Sequence, residues 1–410
     1  MINRSLYQTL WQKLSKDGKM VFLSGPRQSG KTTFAKTIAS TFTNKLYFNW
    51  DILSDKKRFS KNPTFFQELD RKDSSPPLVI LDEIHKYRRW KEYLKGVFDE
   101  FSNQYHFLVT GSGRLDIGQK GGDALSGRYF QMNLFPFSLS ELSSQRRSLK
   151  EFLSSPLQNF DLNKPKETGS LCNRLLRFGP FPEPFAKCQE DFLIRWSDTY
   201  IKQIIREDIR SFFSIKQVDT LELMVSLLSS KVGSPFSIHN VSNDLQLSFD
   251  TVKNWLRILD MFYIVFTVGT WTKKISRSIL KEKKIYLYNY TEIEDLAIRF
   301  ENMVALELYK TVLLWNHAGL GKFNLHYLKN KEKQEVDFIL TERNSPIVLI
   351  ETKQSDENVS KSLIYFQNKL QVPAIQLIEK DNIYRTIKNG PNQILLISAH
   401  RWLSSLPGIQ

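Results

Sequence analysis

Three sets of residues in this chain have the types and spacing that chemistry requires. The first is Gly25-Pro26-Arg27-Gln28-Ser29-Gly30-Lys31-Thr32-Thr33, which follows the apolar run Met20-Val-Phe-Leu and opens a helical pattern over 34–40. Glycines at such positions let backbone N–H groups turn inward onto phosphates, and the positive end of the following helix adds to the attraction. Lys31 would reach the β- and γ-phosphates and Thr32 would hold Mg²⁺ through its hydroxyl, so the loop predicts ATP and Mg²⁺ as cofactors. The second set is Asp82-Glu83, closing the apolar run Leu78-Val-Ile-Leu. Asp82 would take the metal through water, and Glu83 would act as the general base on an attacking water. The third is Asp337, separated by thirteen residues from Glu351-Thr-Lys353, with Glu301 upstream in a helical pattern. Strand residues two apart share a face, so Glu351 and Lys353 point the same way and Asp337 can approach from the neighbouring strand. Glu301, Asp337 and Glu351 would bind Mg²⁺, a hard cation suited to oxygen donors, and Lys353 would orient or activate water, or stabilise charge on phosphate.

These side chains need elements to hold them. Strands are expected over 19–24, 46–51, 78–83, 107–112 and 129–134, with helices between them. Strand 46–51 lies between the glycine loop and the Asp-Glu strand in sequence, and Thr110 or Ser112 would be the polar sensor of the γ-phosphate at the next strand's end. Arg114 and Arg128 are candidate arginine fingers, since a guanidinium can stabilise charge on a transferring phosphoryl group. Asp82-Glu-Ile-His85 has the letters of a helicase box, but a single glycine loop leaves no second lobe for that architecture, and His85 is expected as a solvated residue. Residues 138–168 are rich in Ser, Lys and Pro, a boundary signal, and 192–212 is strongly helical and reads as a lid.

Downstream, Ser237 and Ser248 are placed to cap two short helices separated by a turn, and two apolar strands follow: a helix-turn-helix with a wing. Asp250, Thr251, Lys253, Asn254 and Arg257 fall on the exposed face of the second helix. The segment from Lys273 to Lys284 holds six basic residues and one acidic. With 58 Lys and Arg against 43 Asp and Glu, the net charge of +15 favours a polyanionic partner such as nucleic acid or a membrane surface, and the winged helix with the basic segment 273–284 makes nucleic acid, DNA in the first instance, the expected partner. Hydrophobic residues make up 41 % and aromatics 13 %, which excludes a disordered chain, and two cysteines in 410 residues exclude a disulfide scaffold. The sequence has no apolar run of membrane-spanning length, so a cytoplasmic protein with no membrane role is expected.

The strand and loop pattern matches the additional-strand P-loop ATPases, including AAA+ proteins, and Asp337-x13-Glu351-x-Lys353 resembles the metal site of PD-(D/E)xK nucleases. Gly25 to Thr33, Leu81-Asp-Glu-Ile, Val109-Thr-Gly-Ser, Leu125-Ser-Gly-Arg, Leu134-Phe-Pro-Phe-Ser, Glu301-Asn and Glu335-Val-Asp-Phe with Glu351-Thr-Lys together resemble one family over nearly the whole chain. It is the prokaryotic AAA-like ATPases with a winged helix and a C-terminal domain of unknown function having an endonuclease-like fold. The chain departs from it at Leu287-Tyr-Asn-Tyr-Thr, where an acidic residue and a glycine are expected, which leaves that junction's role open. The resemblance implies an α/β fold with four parts: a P-loop ATPase core (1–140), a helical lid and linker (141–232), a winged helix (233–288) and a restriction-endonuclease-like domain (289–410). By analogy a homo-oligomer is expected, a neighbour's arginine completing each site. The expected function is ATP hydrolysis coupled to a Mg²⁺-dependent nuclease acting on nucleic acid. The alternative is a nucleotide-switched DNA- or protein-binding regulator whose nuclease fold is silent.

Overall fold

The computed structural model describes residues 2–111, 113, 125–143, 147–159, 165–213, 215–273 and 282–409. The chain forms two compact units, Met1–Pro136 and Phe137–Gln410. Among the described residues no helix is long and apolar enough to cross a membrane.

The first unit is a five-stranded sheet of β1 (Met20–Ser24), β2 (Lys45–Asn49), β3 (Leu78–Asp82), β4 (His106–Gly111) and β5 (Tyr129–Asn133). The strands run parallel in the order β2-β3-β4-β1-β5. β1 and β3 are buried at every residue, as apolar runs covered on both faces must be. The strand that stands in space between β1 and β3 is β4, whereas β2, which intervenes in sequence, lies at the edge. The carboxyl ends of β1, β4 and β3 are therefore neighbours, which is where an open parallel sheet binds its ligands. Aromatic side chains fill the core beneath. Phe66 meets Phe101, Tyr105 and Phe107 edge-on with ring centroids 5.2, 5.2 and 5.6 Å away, and Phe22, Phe48, Phe59 and Phe65 join the same cluster.

The second unit holds a nine-stranded sheet of β6 (Pro235–Phe236), β7 (Val265–Thr270), β8 (Lys283–Leu287), β9 (Phe323–Lys329), β10 (Glu335–Glu342), β11 (Ser345–Lys353), β12 (Ala374–Ile378), β13 (Tyr384–Asn389) and β14 (Asn392–Ser398). Its order is β13-β14-β12-β11-β10-β9-β7-β8-β6. One continuous sheet thus runs across the boundary expected at 288, joined by a short parallel seam in which Gly269 pairs with His326 and Thr270 with Tyr327. Residues 141–232, expected as a lid, also fall within this unit. The helical run expected over 192–212 is observed as Glu190–Gln203, a π turn at Ile204–Ile209 and Arg210–Phe212. Ser237 and Ser248 cap the helices Ile238–Asp244 and Phe249–Met261 by accepting from Asn240 N and Thr251 N. The long helix Leu296–His317 starts at Asp295, whose carboxylate accepts from Ala297 N and Ile298 N.

Candidate functional site

The glycine loop is shaped by its surroundings. At Gly25 a Cβ would lie 2.2 Å from the carbonyl oxygen of Leu134, so only glycine fits beneath the exit of β5, where Leu134 N donates to Ser24 O at 2.8 Å. The loop ends at Gly30, with φ at 93°, and the helix Lys31–Ala39 begins. Arg4 braces the loop from behind: its guanidinium donates to Ser29 O at 3.2 Å and to Phe135 O at 2.6 Å. Lys31 Nζ donates to the carbonyl oxygens of Gly25 (2.9 Å) and Pro26 (2.7 Å), so its ammonium lies inside the loop's curve. Among the described residues Ser29 Oγ, which is buried, has no hydrogen-bond partner, while Gln28, Thr32 and Thr33 are exposed and Arg27 is half-buried. An orphaned hydroxyl, a loop that excludes side chains and a helix amino end with a lysine inside it fit a nucleotide's phosphates.

Asp82 is the hub of the site. It is 2 % exposed, and its Oδ2 accepts from Thr32 Oγ1 at 3.2 Å and from the Tyr47 hydroxyl, while Oδ1 accepts from the Thr110 hydroxyl. Register explains the convergence, since Asn49, Asp82 and Thr110 are aligned across β2, β3 and β4. Sequence reasoning used strand 46–51 only as topology and missed Tyr47. Its hydroxyl is held well above its ordinary pKa by burial and by Asp82, so it remains a donor. Glu83 follows with a left-handed backbone, φ 58° and ψ 20°, and its N–H donates to Thr110 O at 3.0 Å. Its Oε2 lies 3.4 Å from both His85 Nε2 and Lys86 Nζ. Burial raises the Glu83 carboxyl above its usual range, with Lys86 and Lys31 pulling the other way. His85, expected in solvent, is 7 % exposed and packed against this carboxylate.

The arginine fingers divide differently. Arg114 and Ser112 lie outside the described residues. Arg128 precedes β5 at the amino end of the sheet, where its carbonyl accepts from Met20 N, and its guanidinium donates to both oxygens of Asp99 at 2.7 and 3.1 Å. β1 spans about 16 Å from there to the loop. Arg128 is therefore not placed to serve the phosphate loop of its own chain, which corrects any role for it there within one copy.

In the second unit Glu301, Asp337, Glu351 and Lys353 converge, with Lys284 among them. Phe338 pairs with Ile350, so Asp337 stands across from Glu351, and Asp337 Oδ2 accepts from Thr352 N (2.9 Å) and Thr352 Oγ1 (2.7 Å). Glu351 Oε1 accepts from Lys353 Nζ at 2.8 Å. Glu301 Oε1 accepts from the Tyr286 hydroxyl at 2.7 Å and from Lys284 Nζ at 3.3 Å. The same Lys284 ammonium, 1 % exposed, lies 2.6 Å from Glu335 Oε1 and 3.9 Å from Asp337 Oδ1. Among the described residues no group of three or more His, Cys, Asp and Glu side chains is placed to hold a metal ion. At the Mg²⁺ site expected at Glu301, Asp337 and Glu351, a lysine bridges the first two and the third is turned to Lys353. Burial first, and then Asp337, push Glu301 and Glu351 each up to about 7. Burial works against the charge on Lys284, yet Glu301, Asp337 and Glu335 outweigh it and hold its pKa above the ordinary value.

Of the nucleic-acid face expected on the helix Phe249–Met261, Asp250, Lys253, Asn254 and Arg257 are exposed and Thr251 is half-buried. In the basic segment 273–284, Lys273 and Lys283 are exposed, Lys284 is withdrawn, and 274–281 lie outside the described residues.

Residues 17–143 match the family model of an AAA domain. The first unit is thus similar to AAA domains and has the parallel sheet and glycine loop of an AAA-like P-loop fold. Residues 170–290 and 298–398 match two domains of unknown function, DUF8612 and DUF4143. An uncharacterized protein of Methanocaldococcus jannaschii is 22 % identical over 74 % of this chain and 66 % of its own length, so the chain spans just under two thirds of that relative. An uncharacterized protein of Haemophilus influenzae is 23 % identical over 100 % of this chain and 96 % of its own, and one of Mycobacterium tuberculosis is 20 % identical over 88 % and 76 %. Among solved structures, Caenorhabditis elegans PCH-2 aligns at 17 % identity over 62 % of this chain and 66 % of that one, with a TM-score of 0.23. The half-complex of Thermococcus gammatolerans McrB AAA+ hexamers with bound McrC aligns at 11 % identity over 89 % and 99 %, with a TM-score of 0.22.

Proposed function

We propose that this chain is an ATP-hydrolysing AAA protein that acts on nucleic acid, with DNA as the first candidate, and that its nucleotide state is coupled to the nuclease-like C-terminal region. The observation that carries the ATPase reading is the convergence of Thr32, Thr110 and Tyr47 on Asp82, with Glu83 beside it and Lys31 inside the loop. Mg²⁺ held by Thr32 and Asp82 would neutralise charge on the phosphates. Lys31 orients the β- and γ-phosphates, and Glu83 takes a proton from the attacking water. Arg128, at the far end of the sheet, serves only a neighbouring copy in this reading, which makes a homo-oligomer part of the proposal.

The nucleic-acid reading is supported by the order helix Val218–Ser229, β6, helix Ile238–Asp244, helix Phe249–Met261, β7, β8, with the three strands antiparallel as β6-β8-β7. That is the order of a winged helix, which presents its second turn-linked helix to DNA. The nuclease-like reading of 289–410 is supported by the helix Leu296–His317 followed by β9, β10, β11, the helix Lys361–Leu370 and β12. Coupling is supported by one short stretch of chain. Leu134 O closes over Gly25, and three residues on Phe137 O accepts from Lys310 Nζ (2.8 Å) while Leu139 N donates to Glu307 Oε2 (2.9 Å). Glu307 and Lys310 belong to the helix that carries Glu301.

A second reading, the regulator with a silent nuclease fold, is favoured by the Lys284 bridge between Glu301 and Asp337. The experiment that separates the two is cleavage of labelled single- and double-stranded DNA with Mg²⁺ or Mn²⁺, with and without ATP, by wild type and Lys353→Ala. Cleavage by wild type that responds to ATP and is lost in Lys353→Ala supports the nuclease; no cleavage from either, beside intact ATPase activity, selects the regulator.

A further inference from the structure

The last lysine of the basic segment is withdrawn from the surface by the alternation of its strand. In β8, Lys283 faces solvent, Lys284 points to the opposite face, and Tyr286, two residues on, shares that face with it. The helix Leu296–His317 is locked over this face by Asn302, whose side-chain amide accepts from Leu287 N and donates to Leu287 O, both at 2.8 Å, as a neighbouring strand would. Glu301, one residue earlier, is thereby held against Lys284 and Tyr286. Gly233 closes the other side, since a Cβ there would come within 3.2 Å of both Glu301 carboxylate oxygens.

We infer that the Lys284 ammonium takes the place of a divalent cation among Glu301, Glu335 and Asp337, so that this half of the carboxylate cluster carries a fixed protein cation and takes no Mg²⁺. An ammonium offers three N–H donors, and three carboxylates lie 2.6 to 3.9 Å from it. Mg²⁺ would need oxygens at about 2.1 Å in octahedral array. That requires Lys284 to leave, yet the residue is 1 % exposed and paired within the sheet to Val268 on one side and Pro235 on the other. The carboxylates have further partners: Tyr286 donates to the same Glu301 Oε1, Thr352 donates twice to Asp337 Oδ2, and Lys329 lies 3.2 Å from Glu335 Oε2. Removing the ammonium would take the shared cation from the half-buried Glu301 and Asp337 and leave Glu335 with Lys329 alone, which is costly until some cation replaces it. The inference rests on the nuclease-like reading of this region and narrows it, because it confines any divalent ion to the Asp337 and Glu351 side.

The test reads ion binding and not cleavage, so a silent nuclease does not count against it. Mn²⁺ binding to the nucleotide-free full chain is measured by calorimetry and by the electron paramagnetic resonance of free Mn²⁺, for wild type, Glu301→Gln, Lys284→Met and the double variant. Glu301→Gln, which keeps an acceptor for Tyr286 and Lys284, is expected to match wild type in stoichiometry and within twofold in Kd. Lys284→Met is expected to bind one additional Mn²⁺ per chain, lost again when Glu301→Gln is added. A tenfold or greater loss of Mn²⁺ affinity in Glu301→Gln overturns the inference, as does a folded Lys284→Met chain that gains no ion. Should Lys284→Met fail to fold, the Glu301→Gln comparison decides alone.

Discussion

Glu83 must satisfy two opposed demands: to be buried enough to exclude bulk water and ionised enough to accept a proton. Its left-handed backbone costs about 1 kcal/mol for a non-glycine residue, a strain that recurs where a side chain has to be aimed. Replacing it by Gln keeps the volume and removes the basicity. Glu83→Gln is expected to retain ATP binding and to lose turnover by about 10²- to 10⁴-fold, read by nucleotide binding and steady-state hydrolysis; an unaltered rate removes Glu83 from the role. The pH profile has a defined sign. Burial raises the Glu83 carboxyl, so activity should fall on acidification with a midpoint above the ordinary 4.5. Lys86 opposes that rise, and Lys86→Met should move the acid limb to still higher pH; a shift to lower pH would contradict the assignment. Other residues of both sites differ in how visible they are from sequence. The loop Gly25 to Thr33 is legible because its pattern lies within nine consecutive residues, although the residues that brace it, Arg4, Asp82 and Leu134, lie elsewhere. Tyr47 and Lys284 are not legible, because each acts on a carboxylate of another element, 35 or 17 residues away, Asp82 on a neighbouring strand and Glu301 on a helix.

At the scale of elements, the helix Leu296–His317 owes its placement to polar groups as much as to its apolar faces. Glu307 and Lys310, 2 % and 3 % exposed, form a buried pair at 2.9 Å, and both reach the chain at 137–139. Removing one partner leaves a buried charge, so Lys310→Met should cost about 3–5 kcal/mol. Removing both charges, as in Glu307→Leu with Lys310→Met, should recover most of that. A residue of about 1–3 kcal/mol should persist, because Leu139 N loses its acceptor. Denaturant unfolding of the four chains of this double-mutant cycle measures it, and a double variant less stable than Lys310→Met would contradict the pairing. The elements themselves were largely readable: two capping serines, the strand-loop-helix of the P-loop, and the β10 and β11 pair that brings Asp337 opposite Glu351. Neighbours were not. Nothing local in 46–51 says that β2 lies at an edge, and nothing in 265–270 or 323–329 says that these strands meet, since two residue pairs of parallel seam leave no periodic signature.

Across the whole molecule the excess of 15 positive charges becomes a statement about partners only through where the charges lie. Lys253 and Arg257 are exposed on the helix that a winged helix would lay against DNA, with Lys273 and Lys283 exposed at the described ends of the wing segment, while Lys284 is withdrawn among carboxylates and contributes nothing to that surface. Binding through such a face is binding to phosphates, and each phosphate neutralised releases counterions, so log K should fall with log salt at about 0.9 per contact on duplex DNA. Fluorescence anisotropy of a labelled duplex between low and moderate salt gives this slope for the intact chain. Lys253→Ala with Arg257→Ala should reduce it by about 2 if each side chain holds one phosphate, weakening all sequences alike. If instead the pair reads base edges, the slope should hold and affinity should fall for some sequences only. Duplex binding with a salt slope near zero, or a slope and affinity that the double variant leaves unchanged, would take the nucleic-acid contact away from this helix and leave the basic charge of the chain to some other surface.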